Sequence, residues 1–337
     1  MTSRERTIRA LSHEPVDRLP RDLWTVPYMQ MYRNDELERF YKKFPLDIGG
    51  SPEFRYGASR YTKGGQFRKG VYTDEFGSVW EALEEGITGE IKNPIIKTPR
   101  DLDNYRLPWE ILDDAVGDGA SGAYKASDKY ILQGTYVRPF ERMQFLLGSE
   151  EFFIQIATEG ELFLRLREML HEFNLKNMKL AASQAADGVS FMDDWGTQIA
   201  LLISPAAWRK YFKPMYKEYC DIIHSKGKHV FFHSDGHTRE IIGDLVEIGV
   251  DALNTQVFCM NMEELGDKYA GKIAFWGELD RQNILPFGTP DEVRQSVRRY
   301  INALTKGKKT GVIAELSWET VTPYENVDAA YEEFLNI

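Results

Sequence analysis

Residues 229–236 read HVFFHSDG, and this stretch says most about the fold of the chain. Its apolar run is continuous rather than alternating, which is typical of a parallel strand covered on both faces. His233 and Asp235 lie at the end of this run, and Gly236 permits an abrupt turn after them. Residues i and i+2 of an extended segment point the same way, so the imidazole and the carboxylate can converge on one point. The stretch therefore predicts a buried strand that ends in a polar site.

Similar apolar runs recur from about residue 130 and alternate with longer amphipathic segments, which is typical of βα units on a parallel sheet. The predicted strands are Leu19–Trp24, Tyr130–Thr135, Gly188–Met192, His229–His233, Ala252–Gln256, Ile273–Trp276 and Val312–Leu316. We expect an α/β fold, a (β/α)8 TIM barrel, with residues 1–337 in a single domain. The first 130 residues are less regular. Residues 57–80 predict a hairpin-bearing insertion, so the N-terminal third is elaborated.

Helix signals separate these strands. Thr289-Pro290-Asp291-Glu292 combines a capping box with a proline in the first turn of a helix. A second helix is predicted to begin at Ser204-Pro205 and to end before Gly227, with a bend at Pro214. Thr2–Leu11 is predicted to be a short capped helix.

Charge and composition exclude several classes of partner. Lys and Arg total 42 against 52 Asp and Glu, so the formal net charge is -10. Such a field repels phosphate backbones and anionic membranes, and no nucleic-acid or membrane partner is expected. The opening MTSRER lacks an apolar signal region, and no apolar run approaches the ~20 residues of a membrane span. We expect a cytoplasmic protein.

The cysteine count and the absent motifs narrow the chemistry. Only Cys220 and Cys259 occur, far apart, which argues against a disulfide framework and against a thiolate-rich zinc site. The sequence contains no Walker A loop, no G-x-S-x-G elbow and no H-E-x-x-H motif. Nucleotide-dependent chemistry and serine hydrolysis are therefore not expected.

Acids follow three other predicted strands. Asp193-Asp194 closes one strand, Glu278 follows another, and Glu319 follows the last. Active sites of barrels form at the C-terminal ends of strands, so these side chains and His233 are expected at one mouth. Because side chains alternate, at most one of the adjacent aspartates can face the mouth, and Asp194 is preferred.

Each of these residues also has a purely structural interpretation. His233 can hydrogen-bond locally while Asp235 caps the next helix, and one of the two aspartates can cap a turn. A lone glutamate at a strand end is more often a surface or salt-bridge residue. Four acid-bearing strand ends at one mouth favour the functional interpretation.

Five segments form a recognisable series: FMDDWGTQ (191–198), LLISPAAWRKYFKP (201–214), FFHSDG (231–236), IGVDALNTQ (248–256) and FWGELDRQ with LPFGTPDEV (275–293). In this order they resemble the uroporphyrinogen decarboxylase-like superfamily over about residues 185–335. The opening MTSRERTIRALSHEPVDRLP is similar to the family's N-terminus. The resemblance implies a (β/α)8 barrel and does not by itself select one reaction.

The superfamily has two main branches. Metal-free uroporphyrinogen decarboxylases carry an arginine-rich N-terminal segment, where this chain reads RDLWTVP at residues 21–27. Zinc-dependent, corrinoid-linked methyltransferases carry an H-x-C motif and a later cysteine. Here His233 matches the histidine, Asp235 replaces the first cysteine, and residues 315–319 replace the second. The resemblance to this branch implies Zn²⁺ held by His233, Asp235 and either Glu278 or Glu319.

Imidazole and carboxylate ligands leave a metal ion a stronger Lewis acid than thiolates do. Such an ion suits the polarisation of an ether oxygen whose methyl group departs to a cobalt(I) nucleophile. We therefore expect a metal-dependent methyltransferase that demethylates a small methoxylated substrate, aromatic compounds included. The corrinoid is expected on a partner protein, because the chain has no D-x-H-x-x-G segment.

Further site residues follow from the same resemblance. Asp194, with Asp193 as the alternative, is expected to contact substrate or to donate a proton. Trp195, Gln198 and Gln256 are expected to bind substrate.

Two other functions stay open. One is a metal-free lyase with Asp194 as the catalytic carboxylate, and the other is a barrel that binds a corrinoid or tetrapyrrole without turnover. A docking corrinoid protein would need a wide mouth, for which Tyr72, Trp80 and Trp195 are the candidate apolar residues. A homodimer is also left open.

Overall fold

The computed structural model describes residues 1–51, 53–117 and 122–336, and parallel strands form its centre. The strands are β1 (Trp24–Thr25), β2 (Ile48–Gly50), β3 (Gly70–Thr73), β4 (Val79–Ala82), β5 (Glu90–Ile91), β6 (Tyr130–Gly134), β7 (Gly188–Met192), β8 (His229–Ser234), β9 (Ala252–Thr255), β10 (Ala274–Trp276), β11 (Val312–Ile313) and β12 (Ser317–Trp318). Seven of them form one sheet in the order β11-β10-β9-β8-β7-β6-β2. β1 pairs in parallel with β12.

Backbone contacts of the segment before β1 close this sheet into a barrel. Arg21 forms a parallel bridge with Ala314, just after β11, and the Ala314 amide donates to the Pro20 carbonyl at 2.8 Å. On the other side, the Asp47 amide, just before β2, donates to the Arg21 carbonyl at 2.9 Å. The predicted (β/α)8 barrel is confirmed.

The predicted strands all coincide with observed ones, with shifts at their ends. The first, predicted at Leu19–Trp24, shares only Trp24 with β1, and the last, predicted at Val312–Leu316, contains β11 but ends before β12. The barrel strand β2 was not predicted from the sequence. It contains only Ile48 and two glycines, so it gives no apolar run.

The helices are α1 (Ser3–Leu11), α2 (Pro27–Tyr32), α3 (Asn34–Lys43), α4 (Pro99–Asn104), α5 (Glu110–Asp113), α6 (Gly122–Ala126), α7 (Pro139–Leu147), α8 (Ser149–Ala157), α9 (Glu161–Ser183), α10 (Pro205–Tyr211), α11 (Lys213–His224), α12 (Ile242–Ile248), the 3-10 helix η1 (Val257–Cys259), α13 (Met262–Tyr269), α14 (Ile284–Phe287), α15 (Pro290–Thr305) and α16 (Tyr324–Asn336). Their apolar faces and the outward side chains of the strands share one large core. Within the described ranges, no helix has the length and apolar character needed to cross a membrane.

Local sequence signals explain where several helices begin. The predicted capping box is present at α15, where Thr289 and Glu292 bond reciprocally and Pro290 occupies the first turn. The prediction of one bent helix across Pro214 is wrong. The structure has two helices, because Phe212 interrupts the run and Pro214 lies in the first turn of α11, where its missing amide hydrogen is not needed.

The N-terminal end of the barrel is closed by α1. Leu11 packs into the barrel interior with Tyr130, Phe231 and other apolar side chains. Arg6 of the same helix donates to the buried carboxylate of Asp47 at 2.7 Å. The C-terminal ends of the strands are therefore the end left for a functional site.

The predicted hairpin insertion is present as the antiparallel sheet β3-β4-β5. Asp74 lies in its turn and accepts hydrogen bonds from the Phe76 and Ser78 amides and from the Trp80 indole. Arg142 of α7 also donates to Asp74, at 2.8 Å. This buried ion pair attaches the insertion to the barrel's helix layer.

Candidate metal site and active site

The end of β8 places His233 in the barrel mouth. Side chains alternate along a strand, so Phe231 and His233 face the interior while Phe232 joins the outer core. Nε2 of His233 lies 3.4 Å from Oδ1 of Asp194 and 3.6 Å from Oδ1 of Asp235. One ligand atom from each of these three residues lies within 4.8 Å of the other two. The ends of two adjacent strands, β7 and β8, thus build one cluster.

The donor atoms of this cluster fit a divalent metal ion. They comprise one imidazole nitrogen and two carboxylate oxygens, all of which zinc accepts as ligands. Among the described residues, Oδ1 of Asp235 is buried without a hydrogen-bond partner, since Nε2 of His233 at 3.6 Å is beyond hydrogen-bond distance. A buried carboxylate oxygen is costly unless a donor or a cation meets it. His233, Asp194 and Asp235 could therefore hold a metal ion.

A chain of buried polar groups supports His233 from behind. Nδ1 of His233 lies 2.6 Å from Oδ1 of Asn254 in β9. Nδ2 of Asn254 donates to the Trp276 carbonyl at 2.5 Å and to Oε2 of Glu315 at 2.9 Å. The Trp24 ring packs against the imidazole with centroids 4.9 Å apart. These contacts leave Nε2 of His233 as the atom that faces the acids.

The pair formed by His233 and Asp194 has shifted pKa values. Burial opposes a charge on His233, but contact with Asp194 and the charges of Asp194, Asp235 and Glu278 outweigh it and raise the pKa of His233 to about 9. Burial likewise acts to raise the pKa of Asp194, but contact with the His233 imidazole lowers it to about 2. At neutral pH the metal-free pair is an imidazolium with a carboxylate.

Metal-free protein is expected to lose stability as the pH rises from about 6.5 to about 9. The pKa of His233 is about 9 in the folded chain against 6.5 as its ordinary value. Its stabilisation is fully present below pH 6.5 and is lost as pH rises through 9. The Asp194 side chain is 40% exposed, so solvent screening reduces the effect. We expect a loss on the order of 2 kcal/mol.

Chemical denaturation in the presence of a chelator, at pH values below and above this window, measures the loss. His233→Gln is the control, because glutamine does not titrate and its unfolding free energy should lack this step. An equal decline in both proteins would contradict the assignment to His233.

A guanidinium lies among the acids on the other side of the mouth. Arg281 pairs with Asp235, with Glu278 at 3.3 Å and with Glu319 at 3.6 Å. Burial raises the pKa of Glu278 to about 7, although the charge of Arg281 opposes the shift. Glu278 and Glu319 thus contact Arg281. Asp194, rather than either glutamate, joins His233 and Asp235 in the candidate metal cluster. Their predicted role as metal ligands stays a prediction.

The adjacent aspartates have different surroundings. Asp193 is fully buried, and its carboxylate accepts from the Phe140 and Glu141 amides at 2.8 Å and from the Tyr216 hydroxyl at 2.5 Å. Phe140 and Glu141 lie in the first turn of α7, so Asp193 holds the N-terminal end of this helix. Asp194 faces His233, the orientation preferred from alternation. The carboxylate of Asp193 is thus directed away from the cluster, while its backbone amide donates to the His233 carbonyl at 3.1 Å.

The aromatic residues expected around the mouth are buried elsewhere. Trp195 is 0% exposed, packs on Phe140 with centroids 4.0 Å apart, and donates to the Tyr216 hydroxyl. Tyr72 and Trp80, at 4% and 9% exposed, stack on each other in the insertion. The prediction of an accessible rim made of these residues is wrong, because each completes a core. Trp195 therefore cannot contact a substrate at the mouth.

Two glutamines lie together after β7 and β9. Nε2 of Gln198 donates to Oε1 of Gln256 at 3.1 Å, and the Cys259 thiol donates to Oε1 of Gln198 at 2.9 Å. Burial, with the charge of Asp280, raises the pKa of Cys259 to about 11, so the thiol stays protonated. Gln198 is exposed and Gln256 is buried. Their predicted contact with substrate stays a prediction.

Several residues of the mouth were not predicted from the sequence. Alternation along β9 could have identified Asn254 as inward-facing, by the same argument that identified His233. Arg281 lies beyond the strand end in an irregular segment, where no periodicity applies. Trp24 gave no separate signal beyond its place in the first predicted strand.

Similarity to known proteins provides information on the function of this site. Residues 74–334 match the profile of the uroporphyrinogen decarboxylase (URO-D) family. The chain is 22% identical over 316 residues, 89% of each chain, to methylcobamide:CoM methyltransferase MtbA of Methanosarcina acetivorans. It is also 22% identical to MtbA of Methanosarcina mazei, over 90% of this chain and 89% of the relative. A solved methyltransferase from Methanosarcina mazei superposes with a TM-score of 0.65 at 14% identity, covering 99% of this chain and 98% of the other.

Proposed function

The chain belongs to the uroporphyrinogen decarboxylase (URO-D) family, and from this premise we propose that it is a metal-dependent methyltransferase that passes a methyl group to a corrinoid protein. The proposed methyl donor is a small methoxylated compound, with aromatic ethers as the first candidates. Both curated relatives are methylcobamide:CoM methyltransferases, which supports methyl transfer over decarboxylation. A cytoplasmic location and a homodimer stay predictions.

The observation that carries the proposal is the cluster of His233, Asp194 and Asp235. Its ligand atoms lie within metal-binding range, and a buried oxygen of Asp235 has no hydrogen-bond partner in the part of the chain that the structure describes. A divalent ion bound there would supply Lewis acidity toward an ether oxygen. The three side chains would hold the ion, with zinc as the first candidate.

The proton needed by the departing oxygen comes, in this proposal, from Glu278. The pKa of Asp194 is about 2, so Asp194 is a carboxylate at neutral pH and a poor proton donor. The pKa of Glu278 is about 7, which is near the optimum for a general acid at neutral pH. This revises the sequence-based assignment of proton donation to Asp194, which we propose as a ligand instead.

The substrate ring has one candidate platform in the mouth. Trp24 is half-buried beside His233, so one part of its indole is covered and another is accessible. Aromatic pairs gain about 0.5–1.5 kcal/mol beyond their buried area. We propose that Trp24 packs against the methoxylated ring, and that Gln198 and Gln256 bond its polar substituents.

A metal-free lyase is the second candidate, and one observation favours it. Arg281 and the His233 imidazolium already place positive charge among the acids of the mouth. In that case Asp194 would be the catalytic carboxylate, and the chain would need no metal for activity.

Metal analysis and a transfer assay distinguish these candidates. Purified protein should contain stoichiometric zinc. With a methoxylated aromatic compound and a corrinoid protein reduced to cobalt(I), it should form methylcobamide, seen as a change in the corrinoid absorbance. Asp235→Asn keeps the shape of the side chain but removes its charge, and should lose both zinc and transfer. Methyl transfer at an undiminished rate in zinc-free protein would contradict the metal-dependent mechanism.

Exposed apolar residues at the mouth should set the affinity for the corrinoid protein. Ile199, after β7, is 84% exposed, and Phe287, at the end of α14, is 77% exposed. Replacing both by aspartate is expected to raise the KM for the corrinoid protein about tenfold or more, since losing a central apolar contact costs about 1–2 kcal/mol. The KM for the methyl donor should not change.

Steady-state rates at varied corrinoid protein concentration check this expectation. Ile8→Asp is the matched control, because Ile8 is an exposed apolar residue of α1 at the opposite end of the barrel. An unchanged KM in the double variant, or an equal rise in the control, would count against docking at this face.

A further inference from the structure

The amide of Asn254 has only one orientation that satisfies its neighbours. Two acceptors lie on one side of it, the Trp276 carbonyl at 2.5 Å and Oε2 of Glu315 at 2.9 Å. An amide nitrogen carries two hydrogens and no acceptor site, so Nδ2 must be the atom that faces them. The oxygen Oδ1 therefore faces His233.

This orientation determines which nitrogen of the imidazole carries a hydrogen. Oδ1 of Asn254 lies 2.6 Å from Nδ1 of His233. An amide oxygen only accepts, so Nδ1 of His233 must donate. In the neutral ring the lone pair is then on Nε2, the atom that lies 3.4 Å from Asp194 and 3.6 Å from Asp235.

Burial makes the arrangement rigid. Asn254 and Glu315 are both 0% exposed, so water cannot replace either partner. Oε2 of Glu315 also lies against Gly277, where an added Cβ would come within 1.9 Å of it. Only glycine at position 277 leaves room for the Glu315 carboxyl group to reach Asn254.

We propose that Asn254 is a positioning residue that holds the hydrogen of His233 on Nδ1 and so reserves Nε2 for the cation of the site. Glu315 and the Trp276 carbonyl hold Asn254 in turn. The inference rests on the proposed function in one respect, namely that Nε2 is a metal ligand. Loss of a residue that accepts a hydrogen bond from the second nitrogen of a metal-bound histidine typically lowers metal affinity 10–100-fold.

Nitrogen NMR of histidine-labelled wild-type protein tests the proposal directly. In metal-free protein at a pH above the His233 pKa of about 9, where the ring is neutral, the ring hydrogen should be on Nδ1 and Nε2 should carry none. On addition of Zn²⁺, the Nε2 resonance should shift while the Nδ1 hydrogen stays. A neutral ring with its hydrogen on Nε2, or metal bound at Nδ1, would overturn the proposal. The metal-free measurement needs neither zinc binding nor methyl transfer, so its outcome is separate from that of the proposed function.

Two variants of similar shape separate positioning from packing. Asn254→Leu cannot accept from Nδ1, so zinc affinity in a chelator competition should fall about 10–100-fold. Asn254→Asp can accept, so it should keep the Nδ1 hydrogen and bind zinc more tightly than the leucine variant. Equal losses in both would indicate packing alone and overturn the proposal. If the leucine variant does not fold, the wild-type spectrum and the aspartate variant decide.

Asn177→Leu is the matched control. Asn177 is also 0% exposed, and its Oδ1 accepts from the Tyr56 hydroxyl, away from the mouth. This variant should lose stability but keep the wild-type zinc affinity. A loss of zinc affinity as large as that of Asn254→Leu would show that any buried amide has this effect, and would overturn the proposal.

Discussion

Replacing His233 by alanine is expected to abolish stoichiometric zinc and methyl transfer together. Loss of a residue that merely supports a metal ligand costs 10–100-fold in affinity, so the loss of a ligand should cost at least as much. The variant should still fold. Oδ1 of Asn254 is left without its partner, which costs about 1–3 kcal/mol, and domains are typically stable by about 5–15 kcal/mol.

Zinc content, the transfer rate and the unfolding free energy, measured on the same preparation, check this expectation. His224→Ala is the control, because His224 also pairs with an acid, Asp251 at 2.9 Å, but outside the mouth. Wild-type protein without zinc, together with a His233→Ala variant that loses only stability, would make His233 a structural residue.

Replacing Asp193 by alanine is expected to produce the largest loss of stability among the site variants. Its carboxylate accepts from the Phe140 and Glu141 amides and from the Tyr216 hydroxyl, all of them buried. Each buried donor left unpaired costs about 1–3 kcal/mol, so we expect a loss of about 3 kcal/mol or more. Chemical denaturation measures it.

The neighbouring residue provides the matched control. The side chain of Asp194 is 40% exposed, so Asp194→Ala should lower the unfolding free energy less, on the order of the 2 kcal/mol of its pair with His233, while removing zinc and activity. Two substitutions one residue apart should thus separate stability from function. Similar losses of stability in both variants would refute the assignment of Asp193 to the α7 end.

The barrel could be predicted because its strands carry the period of a buried parallel sheet. The run HVFFH identified β8, and alternation placed His233 inside. The same rule allowed only one of the adjacent aspartates to face the mouth, and Asp194 is the one that lies 3.4 Å from His233. β2 was not predicted because a strand of three residues with two glycines shows no apolar periodicity.

The composition of the site could be predicted only in part, because the missing information lies between segments far apart in the chain. The family resemblance suggested a substrate contact for Trp195, which follows two acids at a strand end. Whether it faces the mouth or the helices depends on Phe140 and Tyr216. Arg281 illustrates the converse, since its function depends on Asp235 and Glu319, acids from two other segments that no local pattern joins to it.

Arg281 has a consequence for how the protein is made. Small zinc domains are unfolded until metal arrives, because their ligands repel or stay unpaired without it. Here the chain supplies a cation of its own: the guanidinium of Arg281 neutralises Asp235 and neighbours Glu278 and Glu319, and the imidazolium of His233 pairs with Asp194. With the proposed metal site, synthesis and folding would thus not depend on the metal supply of the cell, and the folded barrel would take up its metal ion afterwards.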